Sequence, residues 1–198
     1  ATFVGWYDSF MIITLTGPMA SGKTSIARRL SEEIPESSVV LSLTTRTSRL
    51  TDVPGEYRYV THEEFEDLNK QNLFEWVVPH KDQWYGTLKE TLQEAISNPD
   101  RVWIMTLVLD AVTTMRTFLQ KHDALAHHKP FFILVPDDER LARAKIRDGN
   151  DAVIKSGQAK EINWSAWADE TGVPFIRIEN REGELERSVA EIREAIKQ

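Results

Sequence analysis

Eight residues near the start of the chain carry its clearest chemistry. Gly17-Pro18-Met19-Ala20-Ser21-Gly22-Lys23-Thr24 has the spacing GxxxxGK[ST]; the apolar, β-rich run Met11 to Thr16 precedes it, and a helical pattern with Ile26, Ala27 and Leu30 on one face follows. Glycine lets the backbone curl until successive amide N–H groups converge on a phosphate, and the helix N-terminus adds the positive end of its dipole. An ammonium at Lys23 suits the β- and γ-phosphates, and a hydroxyl at Thr24 suits Mg2+. The pattern predicts a nucleoside triphosphate site built from Gly17, Ser21, Gly22, Lys23, Thr24 and Ser25. It leaves open whether the γ-phosphate goes to water, a hydroxyl or another phosphate.

A second group of residues could supply that receiving side. Arg46 and Arg49 are spaced so that both can offer fork-shaped donors to one phosphate, and Tyr57 and Tyr85 could add phenol donors. Glu75 lies between Phe74 and Trp76, an acid in an apolar setting that requires a partner. Guanine presents N1–H and an exocyclic amine as adjacent donors to a carboxylate, whereas adenine presents an acceptor at N1.

The elements that must position these residues follow from periodicity. Val39 to Leu43 reads as a strand, Thr44 to Pro54 as a polar segment, and Tyr57 to Tyr59 as an exposed strand. Thr61 with Glu64, and Thr87 with Glu90, have capping-box spacing and predict two helix starts. Arg101 to Leu109, Phe131 to Val135 and the weaker Pro174 to Glu179 read as buried strands. Helical patterns follow them at Ala111 to Gln120, Asp137 to Arg147 and Glu184 to Lys197. Alternating strands and helices predict a parallel α/β sheet covered on both faces. Asp148 to Lys160 is polar and reads as an excursion from that core. The histidines show no metal-ligand spacing, and His127-His128 reads as a surface turn.

Composition narrows the classes. The chain has 198 residues and a formal net charge of −7, which repels a polynucleotide and leaves room for small anions held by local basic groups. The count of 0 cysteines excludes disulfides and thiolate chemistry and suits a reducing, cytoplasmic setting. Apolar runs fall short of the ~18 residues of a membrane span. Residues 1–10 lack the pattern of a secretory signal and read as an N-terminal extension or remnant ahead of a domain spanning 11–198.

Ser42-Leu43-Thr44-Thr45-Arg46-Thr47-Ser48-Arg49, Gly55-Glu56-Tyr57-Arg58-Tyr59-Val60, Phe74-Glu75-Trp76 and Trp84-Tyr85-Gly86-Thr87 together resemble the nucleotide-acceptor module of the guanylate kinase family, densely from Gly17 to Leu92 and more thinly beyond. The resemblance implies a P-loop NTPase three-layer α/β fold with a parallel sheet core, a small mixed acceptor-binding subdomain and a helical lid. Its divisions are a core at 11–41, 93–147 and 162–198, an acceptor insertion at about 42–92 and a lid at about 148–161. It implies that ATP with Mg2+ is the donor and a nucleoside monophosphate the receiver. Arg46, Arg49, Tyr57 and Tyr85 would hold the monophosphate, Glu75 would read the guanine edge, Ser42 would reach the base carbonyl, and Thr87 would stand beside the base. Arg143 and Arg147, with Lys145 nearby, match lid arginines over the transferring phosphate, Lys155 and Lys160 stand where another arginine is usual, and Asn180 matches an asparagine near adenine.

The chain departs from the family at one strand. Where the family has two acids one residue apart, one near Mg2+ and one on the guanine amine, the sequence aligns Thr106 and Val108, and a shift along the strand lets Asp110 fill only one role. GMP or dGMP is therefore the leading phosphoryl acceptor, with another or modified deoxynucleotide as the alternative. A phosphorylated sugar is disfavoured by Glu75 and Ser42. A non-catalytic binding scaffold ranks third because Lys23 and Thr24 are intact. The sequence leaves the oligomeric state open.

Overall fold

The computed structural model describes residues 10–49, 52, 54–80, 82–98, 101–148 and 163–197, the side chains at 80, 147 and 148 excepted. Two sheets organise them. The larger is parallel, with β1 (Met11–Thr16) at its centre between β7 (Val102–Thr106) and β8 (His128–Leu134), and β2 (Ser37–Val39) and β9 (Ile176–Glu179) at its edges. The register sets Ile13 beside Ile104 and Leu15 beside Phe131.

Side-chain alternation divides the core into two layers around this sheet. Ile13 and Leu15 pack with Ile26, Ala27 and Leu30 of α1 (Lys23–Glu33) and with Val189 and Ile192 of α7 (Leu185–Ala195). Ile12, Trp103 and Met105 point the other way, onto α3 (Lys89–Ser97) and α4 (Leu109–Lys121), where Leu92, Met115 and Leu119 receive them. A central strand buried on both faces must be apolar on both, which is why MIITLT reads as a continuous run.

The smaller sheet is mixed and has the order β4-β3-β6-β5. It contains β3 (Ser42–Thr44), β4 (Tyr57–Tyr59), β5 (Phe74–His80) and β6 (Gln83–Leu88), with α2 (His62–Lys70) packed against it through Phe65. Phe65 stacks on Phe74 with ring centroids 4.5 Å apart. A Cβ on Gly86 would come within 2.7 Å of the Phe74 ring, so this small core needs glycine there. The Thr61–Glu64 capping box is formed in both directions and opens α2. The chain continues through α5 (Asp137–Asp148) and α6 (Trp164–Glu170).

Four expectations change. The predicted strand Val39 to Leu43 is two strands in different sheets: the Val40 N–H still bonds to Ile104 of the large sheet at 2.9 Å, and Ser42 already pairs with Tyr57 of the small one. Thr87 does not cap a helix. It is buried in β6, α3 starts at Lys89 after Leu88, and the Thr87 hydroxyl is taken by Ser42 at 3.0 Å. Leu109 belongs to the start of α4 rather than to the strand before it. His128 is no surface residue: it begins β8, is buried, and its Nε2 lies 2.9 Å from the Thr14 hydroxyl. Of the expected lid, residues 149–161 lie outside the described residues, with Lys155 and Lys160 among them, as do residues 1–9 of the expected extension. Among the described residues no helix is long and apolar enough to cross a membrane.

Candidate active site

The phosphate loop is held by backbone geometry that its glycines allow. Gly17 has φ 146° and Gly22 has φ 95°, and a Cβ at either would collide, with the Ile133 carbonyl at 2.5 Å and with Asn180 Nδ2 at 2.2 Å respectively. Lys23 folds back over the loop, where its ammonium donates to the carbonyls of Gly17 at 2.9 Å and Pro18 at 2.8 Å. Thr24 and Lys23 both line the cleft above it, whereas Ser21 is buried within the loop and Ser25 faces outward from the first turn of α1.

Asn180 and Arg143 support this loop from outside the cleft lining. The Asn180 side chain is 4% exposed and donates to the Ser21 carbonyl at 2.8 Å, so it braces the loop. Arg143 on α5 donates to the Asn180 carbonyl at 3.0 Å and to Glu139 at 3.3 Å, and its Nη1 lies 3.9 Å from where a Gly22 Cβ would be. Lys145 is exposed on the same helix, and Arg147 falls on its last turn.

A cleft of about 660 Å3 runs from this loop to the small sheet. Ser42, Arg49, Tyr57, Tyr85 and Thr87 line its far side, and Asp110, exposed on the first turn of α4, lines its wall. Tyr85 donates to Gln83 Oε1 at 3.2 Å, and Tyr57 and Tyr85 meet edge to face at 6.1 Å.

Two expected residues are placed elsewhere. Arg46 is 6% exposed and lies behind the cleft wall. Its guanidinium takes both oxygens of Asp52, at 2.6 and 2.8 Å, and sits over the Tyr57 ring at 4.7 Å. The pair holds the Asp52 carboxyl at about 2: burial alone would raise it, and the hydrogen bonds from Arg46, Tyr59 and the Arg49 amide outweigh that. Glu75 is half-buried and does not line the cleft. Pairing in β5 shifts between Phe74 and Trp76, so Trp76 and Val78 turn into the cleft while Phe74 and Val77 join the small core.

A family model for guanylate kinase matches residues 10–198. The chain belongs to the guanylate kinase family. A curated guanylate kinase of Helicobacter pylori is 30% identical over 152 residues, 74% of this chain and 68% of that protein. One of Synechocystis is 31% identical over 150 residues, 73% of this chain and 74% of that one. The crystal structure of guanylate kinase from Anaplasma phagocytophilum superposes with a TM-score of 0.63 at 17% identity, covering 96% of this chain and 86% of that one, which shows a common fold.

Within this guanylate kinase fold, Val108, which aligns with an acid of the family, is 47% exposed and faces the cleft from the start of α4. Trp164 and Trp167 of α6, which close the cleft wall with rings 5.4 Å apart, carried no readable signal in the sequence. Each looks like ordinary core to a periodicity argument. Glu56 was legible only as part of a motif, and it is a buried carboxylate hydrogen-bonded to the Thr106 hydroxyl at the end of β7.

Proposed function

We propose that this chain moves the γ-phosphoryl group of ATP onto GMP or dGMP. The observation that carries the reading is that one cleft is lined both by Lys23 and Thr24 of the phosphate loop and by Ser42, Tyr85 and Thr87 of the small sheet with Arg49 of the loop after β3. A donor phosphate on the loop and a monophosphate against Arg49 and Tyr85 would face each other across that space. The monophosphate is already ionised, so the transfer needs no strong general base. Lys23 would exchange its loop carbonyls for phosphate oxygens, and Arg49 would hold the incoming phosphate in line. Arg143, next to Gly22, adds positive charge near the loop, with Arg147 further along α5.

The Ser42 and Thr87 hydroxyls, paired with each other in the cleft lining, are placed to meet the base. Closure of the segment at about 42–92 over the loop would exclude water and prevent hydrolysis of ATP. The residues present also fit a magnesium ion carried by the phosphates: Thr24 offers a hydroxyl in the cleft, and among the described residues no cluster of three carboxylates or histidines exists to hold a metal independently. Bound there, the ion would shield charge on the β- and γ-phosphates. The partners are two small nucleotides, with no polynucleotide and no membrane, in a cytoplasmic setting.

The test is ADP formation from ATP with GMP, dGMP, AMP, dTMP and 5-substituted deoxynucleotides in turn. Turnover with GMP or dGMP well above the others is expected. Turnover confined to a different nucleotide would move the reading to that substrate, and turnover with none would overturn it.

A further inference from the structure

Trp164 and Trp167 stand one turn apart on α6, and both line the cleft beside Val108 and Leu109 at the start of α4. Two clamps fix α6. The Asn163 side chain caps it by accepting from the Ala166 amide at 3.0 Å, and Arg177 of β9 donates to Ser165 at 2.8 Å and to Asp169. The indoles pack against the cluster of Leu109, Phe132 and Ala168, which are 1%, 0% and 0% exposed. Phe132 pairs in register with Thr16, the residue before the phosphate loop. The tryptophan wall therefore rests on the strand that flanks the base of that loop.

This wall offers nothing that could hold a reactive water. Transfer of the γ-phosphoryl group to water forms a bond from the water oxygen to phosphorus, breaks the bond to the bridging oxygen of ADP, and releases inorganic phosphate and a proton. It needs a water in line and a hydrogen-bond acceptor to orient it. An indole has one N–H donor and no acceptor, and valine and leucine have neither. Even the donor of Trp164 is withdrawn from the cleft surface: its Nε1 is buried and has no partner among the described residues. An apolar face of this kind stays dry. The neighbouring lining is different, because Asp110, the one carboxylate among the described lining residues, directly follows Leu109. A water admitted here would find a base.

We infer that Trp164 and Trp167 are specificity-determining residues that select a nucleotide over water as the phosphoryl acceptor, by building a dry face into the rigid core beside the donor phosphates. This rests on the nucleotide-kinase reading above. A monophosphate brings an anionic oxygen as its own nucleophile and asks nothing of this wall, whereas water needs an acceptor on it. The face is in place before any segment closes over the cleft.

Two substitutions at one position separate polarity from packing. Trp167→Phe keeps the wall apolar, and Trp167→Gln puts a carboxamide oxygen, an acceptor, into it. With ATP and GMP, the ADP and GDP formed are quantified in the same reaction. The ADP to GDP ratio should be about one in wild type and Trp167→Phe and about three or more in Trp167→Gln, where ATP hydrolysis without acceptor should rise about tenfold. KM for ATP and for GMP should stay within about twofold, since the wall gives neither a polar contact. A purely structural role would lower kcat and leave the ratio at about one. Equal ratios in the Phe and Gln variants overturn the inference, whatever happens to kcat. Should Trp167→Gln fail to fold, Trp164→Phe and Trp164→Gln make the same comparison, with the same expected and overturning results. If the wild type phosphorylates neither GMP nor dGMP, the kinase reading fails by itself. The wall is then decided by ATP hydrolysis alone: a faster rate in Trp167→Gln than in Trp167→Phe is expected, and equal rates overturn it.

Discussion

Asn180 donates from Nδ2 to the Ser21 carbonyl at 2.8 Å, joining the end of the last strand to the phosphate loop across 159 positions of sequence. The same amide nitrogen occupies the space that a side chain on Gly22 would need, 2.2 Å from an ideal Cβ. Loop and brace are therefore fitted to each other, and neither is explained by the loop motif alone.

Gly22→Ala should abolish ATP binding while the rest of the fold persists. Two faults combine: the collision with Asn180, and a φ of 95° that an alanine tolerates poorly. Asn180→Ala alone should weaken ATP binding about fivefold through a looser loop, at a hydrogen-bond cost of about 1 kcal/mol. The double variant Gly22→Ala with Asn180→Ala removes the collision and keeps the strain, so it should stay defective. Titration of each variant with ATP checks this, and full rescue in the double variant would show that the collision was the whole effect.

The two arginines that resemble a pair should behave oppositely. Arg49 is exposed on the cleft, so Arg49→Met should raise the KM for the monophosphate at least about tenfold and leave the unfolding free energy within about 0.5 kcal/mol. Arg46 is buried on Asp52, so Arg46→Met strands a partly buried carboxylate and should cost about 3 kcal/mol of stability. Denaturant melts beside kinetics make the comparison, and an Arg46→Met protein as stable as wild type would contradict it.

Lys23→Ala should reduce turnover by about 1000-fold or more while monophosphate binding stays within about twofold. The variant loses the cation for the donor phosphates and touches nothing in the small sheet. Calorimetric titration with GMP beside an ADP-release assay reads both quantities. Loss of GMP affinity in parallel with turnover would place Lys23 on the wrong nucleotide.

His128 should make stability fall in mild acid. Burial, and next the charge of Arg116, push its imidazole down to about 3, against about 6.5 in an unfolded chain. The folded state therefore holds a neutral ring where the unfolded state binds a proton. The sign follows: the contribution is complete above pH 6.5 and is lost by about 1.4 kcal/mol per pH unit as pH falls toward 3. Denaturant unfolding at pH 7, 6, 5 and 4 should show wild type losing stability more steeply than His128→Gln, and parallel curves would remove the histidine from the account.

What the sequence determined by itself was local. The phosphate loop, its flanking strand and helix, and the capping box at Thr61 are each written within a few consecutive residues, so spacing and periodicity suffice to read them. The buried strands are legible for the same reason, because a strand covered on both faces must be apolar throughout.

Tertiary structure decided everything that depends on partners distant in sequence. Arg46 and Arg49 look alike in the chain, and only the fold of the loop that brings Asp52 against Arg46 makes one structural and the other part of the cleft. Glu75 has the setting of a base-reading acid, and a single irregularity in β5 pairing turns Trp76 and Val78 into the cleft in its place. Thr87 has a capping sequence and is instead held in a strand by Ser42, 45 positions away. Glu56 and Thr106, separated by 50 positions, meet only where the two sheets join. A buried polar group is fixed by whichever partner satisfies it, and that partner is chosen by the fold.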